Sequence, residues 1–147
     1  MGSMTRNRLS EDERFQERID SYLTGMLVAF DASATRTGAE FDRDRRELIL
    51  YGVGDPPTAL VGIMAEAPAG LEVHWRSAPY TRDELVAESK RIMGAFSKLH
   101  TGGPRTDGTA VEFTTTDSEL LAADDPQRAL GSRYPVTIIH GERPSLY

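Results

Sequence analysis

The fold is decided by residues 47–76, which read ELILYGVGDPPTALVGIMAEAPAGLEVHWR. The run 48–53 is apolar on both faces, which predicts an interior strand. The run 71–76 alternates apolar and polar side chains, which predicts a half-buried strand with Leu71, Val73 and Trp75 facing the core. Between the strands, Asp55 followed by two prolines predicts the N-cap and first turn of a short helix. A strand, a helix and a strand in this order indicate a layered α/β domain.

The same strand–helix–strand pattern recurs from residue 110 to residue 140, without residue-level identity to the first copy. Two capping boxes, Thr81 with Glu84 and Thr116 with Glu119, predict helix starts in this part of the chain. We therefore expect an α/β fold, with α+β as the alternative. Its centre would be a single twisted sheet of four to five strands with helices mainly on one face.

An amphipathic N-terminal helix should precede this sheet, because Ser10 and Glu13 form a capping box. Its apolar stripe is wide and aromatic, which predicts core packing together with a contact to a partner or a second copy, made by Phe15 and Tyr22. We expect residues 10–140 to be one domain, residues 1–9 a disordered start and residues 141–147 a tail. The stripe consists of Phe15, Ile19, Tyr22, Leu23, Met26, Leu27 and Phe30.

A charged connector lies between runs 39–42 and 47–53, and its length suits a β-hairpin. Arg43, Arg45 and Arg46 lie in this connector, and an arginine-rich tip can bind an acidic partner through bidentate hydrogen bonds. The later segment 100–108 contains three glycines and a proline, which predicts an exposed loop.

Composition excludes several classes of function. The 147 residues include no cysteine, so disulfides, zinc–thiolate sites, iron–sulfur clusters and cysteine catalysis are ruled out. The net charge of −6 opposes binding to nucleic acid, which needs clustered cations. The sequence contains no apolar run of membrane-spanning length.

The start of the chain is polar. Met1, Gly2 and Ser3 resemble a cloning remnant before a natural start at Met4, and no signal peptide follows. We therefore expect a cytoplasmic protein. Arginine outnumbers lysine 15 to 2, which is typical of GC-rich coding in a bacterium or its phage.

The strand face with Glu72, His74 and Arg76 is the only weak candidate for catalysis, because an imidazole between a carboxylate and a guanidinium can transfer protons. A solvated sheet face has the same alternation. The three histidines, His74, His100 and His140, lack the close spacing of a zinc site. We therefore expect no metal site and no cofactor.

The sequence contains no motif that specifies a reaction class. Our hypothesis is a non-catalytic intracellular module that binds protein or assembles with itself, a homodimer being one form. One alternative is a small enzyme or small-molecule binder that uses Glu72, His74 and Arg76. The other is an inhibitor, immunity-type or chaperone-like partner of one specific protein, for which the acidic charge would suit a basic target.

Overall fold

The chain repeats one pattern of helix, two strands, helix and strand, as a computed structural model of residues 10–143 describes it. In the second copy two short helices replace the single crossover helix of the first. The first copy consists of α1 (Glu11–Asp31), β1 (Arg36–Asp42), β2 (Glu47–Gly52), α2 (Thr58–Ala65) and β3 (Glu72–Ser77). The second consists of α3 (Arg82–Ala95), β4 (Leu99–Pro104), β5 (Val111–Thr115), α4 (Ser118–Leu121), α5 (Pro126–Ala129) and β6 (Val136–His140).

The strands form two sheets of three strands, ordered β1-β2-β3 and β4-β5-β6. In each sheet an antiparallel hairpin receives a third strand in parallel through the crossover helix. The α/β class is confirmed, but the expected single sheet of four to five strands is wrong. The reason lies in 100–108, which was expected to be a loop: its first residues belong to β4, which pairs with β5 and gives the second half its own hairpin.

The first core lies between sheet β1-β2-β3 and the helices α1 and α2. Ser10 caps α1 by accepting a hydrogen bond from the Glu13 backbone N–H at 3.2 Å. The Tyr22 hydroxyl donates to the Ile63 carbonyl at 2.8 Å and joins α1 to α2. As predicted, the side chains Leu71, Val73 and Trp75 pack on this core, which also contains Phe15, Ile19, Met26, Phe30, Leu48, Leu50 and Leu60.

The second core lies under α3, α4 and α5 and is centred on the fully buried Phe113. The predicted capping box of Thr81 and Glu84 opens α3 with both of its hydrogen bonds formed. Two predicted N-caps are wrong by one or two residues. Asp117 rather than Thr116 caps α4, because its carboxylate accepts from the Leu120 backbone N–H. Helix α2 begins after Pro57 and has no side-chain cap.

A buried carboxylate clips α3 to the segment before β6. Glu88 is 5% exposed and accepts hydrogen bonds from the Arg91 guanidinium at 2.6 and 3.0 Å and from the Arg133 backbone N–H at 2.7 Å. These bonds, the Arg91 bond first, lower the pKa of Glu88 from 4.5 to about 2 against the opposing effect of burial. Arg91 also donates to the Gly131 carbonyl, so the clip has two anchors.

The two halves meet where β1 approaches the β4–β5 turn and the start of α3. A side chain at Gly38 would collide with the backbone of Thr106, so only glycine permits this approach. The Thr37 hydroxyl donates to the Tyr80 carbonyl at 2.6 Å, and Arg36 forms an ion pair with the Asp83 of α3. These contacts join the first half of the chain to the second.

None of the helices within residues 10–143 combines the length and the apolar character needed to cross a membrane.

Candidate functional site: the open sheet face and the sheet edges

The face of the first sheet that points away from α1 and α2 carries a row of three carboxylates. Register pairs Asp42 with Glu47 across β1 and β2, and Glu47 with Glu72 across β2 and β3. Side chains at paired positions lie on the same face, so the three acids run side by side across the sheet. His74, two residues beyond Glu72, shares this face.

His74 lies between two of these carboxylates. Its Nε2 atom is 3.2 Å from the Glu72 carboxylate and 3.9 Å from the Glu47 carboxylate. One ligand atom from each of the three residues falls within 4.8 Å of the other two. Within residues 10–143 this is the one group of histidine and carboxylate side chains with the geometry to hold a metal ion.

Arg76 does not join this group. It lies opposite Tyr51 in the β2–β3 register, toward the other end of the strands. The Tyr51 hydroxyl donates to the Glu40 carboxylate at 3.1 Å. Burial first, and the bond to Glu40 second, raise the pKa of Tyr51, while Arg76 opposes the rise. The structure thus divides the predicted trio: Glu72 and His74 meet Glu47, whereas Arg76 lies beside the separate pair of Tyr51 and Glu40.

The open face is accessible to solvent. The side chains of Glu72 and His74 are 71% and 45% exposed, whereas that of Glu47 is 19% exposed. An enzyme site ordinarily lies in a concave pocket that excludes water. The open face can bind a cation or exchange protons, but it does not enclose a substrate.

The predicted arginine tip is largely neutralised within the chain. Arg45 pairs with Asp42 at 3.8 Å, and Arg46 pairs with Asp12 of α1 at 2.8 Å. Arg46 also stacks over the ring of Phe15 at 4.1 Å and adopts a left-handed backbone with φ of +52°. These contacts hold the hairpin against α1. Among residues 10–143, Arg43 forms no ion pair, and the Arg45 side chain is 79% exposed despite its pair with Asp42, so both arginines are accessible to a partner.

The two aromatic residues predicted to contact a partner lie in the chain's own core. Phe15 is 3% exposed, and Tyr22 is partly buried with its hydroxyl bonded to α2. Phe15 therefore offers almost no surface while α1 remains in place, whereas Tyr22 is covered only in part. Leu27 and Val28, on the outer part of α1, are the exposed apolar residues of this helix.

Each sheet has two edge strands, and the edges formed by the parallel strands β3 and β6 differ in chemistry. Sheet 1 ends in β3, whose open-face side chains are Glu72, His74 and Arg76. Sheet 2 ends in β6, which reads VTIIH and carries no acid, lysine or arginine. Natural proteins place charges on edge strands to prevent pairing with other chains. The β3 edge has this protection and the β6 edge lacks it.

The backbone of β6 presents alternate residues to the outside. Val111 donates to the Pro135 carbonyl, and Gly141 donates to the Thr115 carbonyl. In a parallel ladder the residues that bond to the neighbouring strand alternate with residues that face away. The N–H and C=O groups of Val136, Ile138 and His140 therefore point outward, and no backbone group within residues 10–143 pairs with them there. This edge is a template for another strand.

The chain matches no protein-family model and no curated protein sequence.

Sequence reasoning found two members of the carboxylate–histidine group and missed Glu47. The alternation of β3 indicated that Glu72 and His74 share a face. Glu47 joins them only through the β2–β3 register, which depends on where the crossover helix returns the chain. The β6 edge was missed because strand order is a tertiary property. Its lack of charge was visible in the sequence as the run 136–139.

Proposed function

We propose that the chain is a non-catalytic assembly module that pairs with a second copy of itself along the edge of β6. The observation that carries the proposal is the outward-facing backbone of Val136, Ile138 and His140 on an uncharged edge strand. Addition of a strand to such an edge is a common mode of protein association.

A second copy of β6 suits this edge. If two copies pair antiparallel with Ile138 opposite itself, Val136 faces His140 of the other copy. Every outward N–H then meets an outward C=O, which gives about six backbone hydrogen bonds. No pair of like-charged side chains is opposed, and the pairing is isologous, as expected of a twofold dimer.

The side chains also favour pairing. On the open face this register brings Ile139, which is 42% exposed, against Thr137 of the other copy. Covering an exposed β-branched side chain adds apolar burial to the hydrogen bonds.

The test introduces proline at equivalent positions near the ends of β6 and β3. His140→Pro removes an outward N–H from β6, and Ser77→Pro removes the corresponding outward N–H from β3, since Ala78 bonds inward to Gly52. Both side chains are exposed, and proline is tolerated where the N–H faces outward at a sheet edge. Sedimentation velocity over a range of concentrations measures the association.

We expect the unmodified protein and Ser77→Pro to sediment as dimers, and His140→Pro and Ile139→Lys to shift toward the monomer. Circular dichroism spectra of all four proteins should agree. A monomer at high concentration for the unmodified protein would refute the proposal. So would a dimer that survives His140→Pro and Ile139→Lys, because its interface would then lie elsewhere, with the exposed Leu27 and Val28 of α1 as the next surface to test.

A further inference from the structure

We propose that Glu47, Glu72 and His74 bind a divalent transition-metal ion of the Zn²⁺ class on the open face of the first sheet. The ligands are one carboxylate oxygen each from Glu47 and Glu72 and the Nε2 atom of His74. Three protein ligands leave at least one coordination position to water or to a group from outside the chain. This inference is independent of the pairing proposed for β6.

The distances suit a small ion. With metal–ligand bonds of about 2.0 to 2.2 Å, neighbouring ligand atoms of a tetrahedral zinc site lie about 3.3 Å apart. The His74 Nε2 atom already lies 3.2 Å from Glu72 and 3.9 Å from Glu47. A contraction of less than 1 Å brings the His74–Glu47 distance to this value, and the two carboxylate oxygens, which lie within 4.8 Å of each other, need to approach by about 1.5 Å at most.

The backbone fixes the three ligands before a metal binds. Glu47 and Glu72 are direct partners in a hydrogen-bonded parallel ladder, and His74 follows Glu72 by one pleat on the same strand. Ligands on paired strands lose less conformational freedom on binding than ligands on a loop. The 19% exposure of the Glu47 side chain restricts its rotamers further.

Electrostatics also favour a cation at this position. Like charges directly opposite each other on neighbouring strands destabilise a sheet. Asp42, the third acid of the row, is compensated by the Arg45 guanidinium and accepts from the Arg45 backbone N–H at 3.1 Å. Within residues 10–143, neither Glu47 nor Glu72 forms an ion pair with a lysine or an arginine. A divalent ion between them removes their mutual repulsion.

The imidazole decides which ions fit. Calcium and magnesium prefer oxygen ligands, whereas a nitrogen and two carboxylates suit zinc and its neighbours in the first transition row. An acidic cluster without His74 would not discriminate among these ions. We therefore expect Zn²⁺ and Co²⁺ to bind, and millimolar Ca²⁺ or Mg²⁺ not to displace them.

The experiment is calorimetric titration of Zn²⁺ into the full chain, repeated with Co²⁺ to record its visible absorption. His74→Ala and Glu47→Gln each remove one ligand. His100→Ala and Glu119→Gln remove an imidazole and an exposed carboxylate that lie outside both proposed sites. Circular dichroism confirms that each variant is folded before titration.

The expected result is one saturable Zn²⁺ site per chain, weakened at least about 10-fold to 100-fold by His74→Ala and by Glu47→Gln and unchanged in the two controls. Absence of binding to the unmodified protein at millimolar Zn²⁺ would overturn the proposal. Binding that is equal in all five proteins would overturn it as well, since the metal would then lie at other groups.

Discussion

Replacement of Glu88 by glutamine should remove much of the stability that the second half draws from its buried carboxylate. The amide of Glu88→Gln has nearly the same shape, and its oxygen can still accept from the Arg133 backbone N–H. Its NH₂ group, however, would face the Arg91 guanidinium, which offers only donors. One charge-assisted pair is lost and a buried donor is left without an acceptor.

The magnitude follows from the pKa. A decrease in the pKa of Glu88 from 4.5 to about 2 corresponds to an upper limit of about 3 kcal/mol, at about 1.4 kcal/mol per pH unit. Because the folded-state pKa is lowered, this stability is fully present above pH 4.5 and is lost as the pH falls toward 2. Loss of about 3 kcal/mol lowers the Tm of a chain of this size by about 6 to 12 °C at neutral pH.

Urea denaturation at intervals between pH 7 and pH 2.5 measures both effects. The unmodified protein should lose more stability across the acid range than Glu88→Gln, so their curves should converge near pH 2.5. Glu84→Gln is the matched control on α3, because Glu84 is exposed and glutamine also completes a capping box. If Glu88→Gln matches Glu84→Gln in midpoint at pH 7, or shows the same pH slope as the unmodified protein, the role assigned to the clip is wrong.

Substitutions at four positions test the packing and the backbone conformation. Gly38→Ala should cost about 1 to 3 kcal/mol in urea denaturation because the new methyl group meets the Thr106 backbone, while Gly94→Ala, with open space around it, should stabilise α3 by about 0.5 to 1 kcal/mol. Trp75→Ala should cost about 3 kcal/mol by the same measurement, and a wild-type-like midpoint would contradict its contact with Phe30. Arg46→Gly should exceed Arg46→Ala in Tm, because only glycine adopts the left-handed φ without strain, and equal Tm values would show that the backbone there is unstrained.

Local signals in the sequence predicted most of the elements. Thr81 with Glu84 gave the start of α3, and the strict alternation of 71–76 gave both the strand and its buried face. Asp125 followed by Pro126 is another local signal of this kind, and Asp125 caps α5. These features depend on neighbours within a few residues, so one sequence is enough to identify them.

The predictions that were wrong concern strands that contain glycine and the register between strands. Gly102, Gly103 and Pro104 were assigned to a loop because these residues usually interrupt strands, yet β4 runs through them. Gly102 is required there, since a side chain at this position would strike the Phe113 ring. Local propensity does not indicate this contact, because Phe113 lies on β5, a strand that begins nine residues after Gly102. A single sheet was predicted because the β4–β5 hairpin was not recognised in the sequence.

The candidate site had the same limit. The alternation that placed Glu72 and His74 on one face also placed Arg76 there, and the three were treated as one group. The parallel register divides them, because each β3 residue stands beside its own partner on β2: Glu47 beside Glu72 and Tyr51 beside Arg76. Which polar residues meet therefore depends on the offset between two strands, and that offset is set by the length and packing of α2.

Because the two halves share one fold, they can be compared at equivalent positions. The strands β3 and β6 occupy the same position, each added in parallel beyond a hairpin. The β3 edge nevertheless carries an acid and a guanidinium, whereas the β6 edge carries no acid, lysine or arginine. A difference at equivalent positions cannot follow from the architecture, which is shared. It follows from the side chains, which is why we propose a cation site in the first half and the addition of a strand in the second.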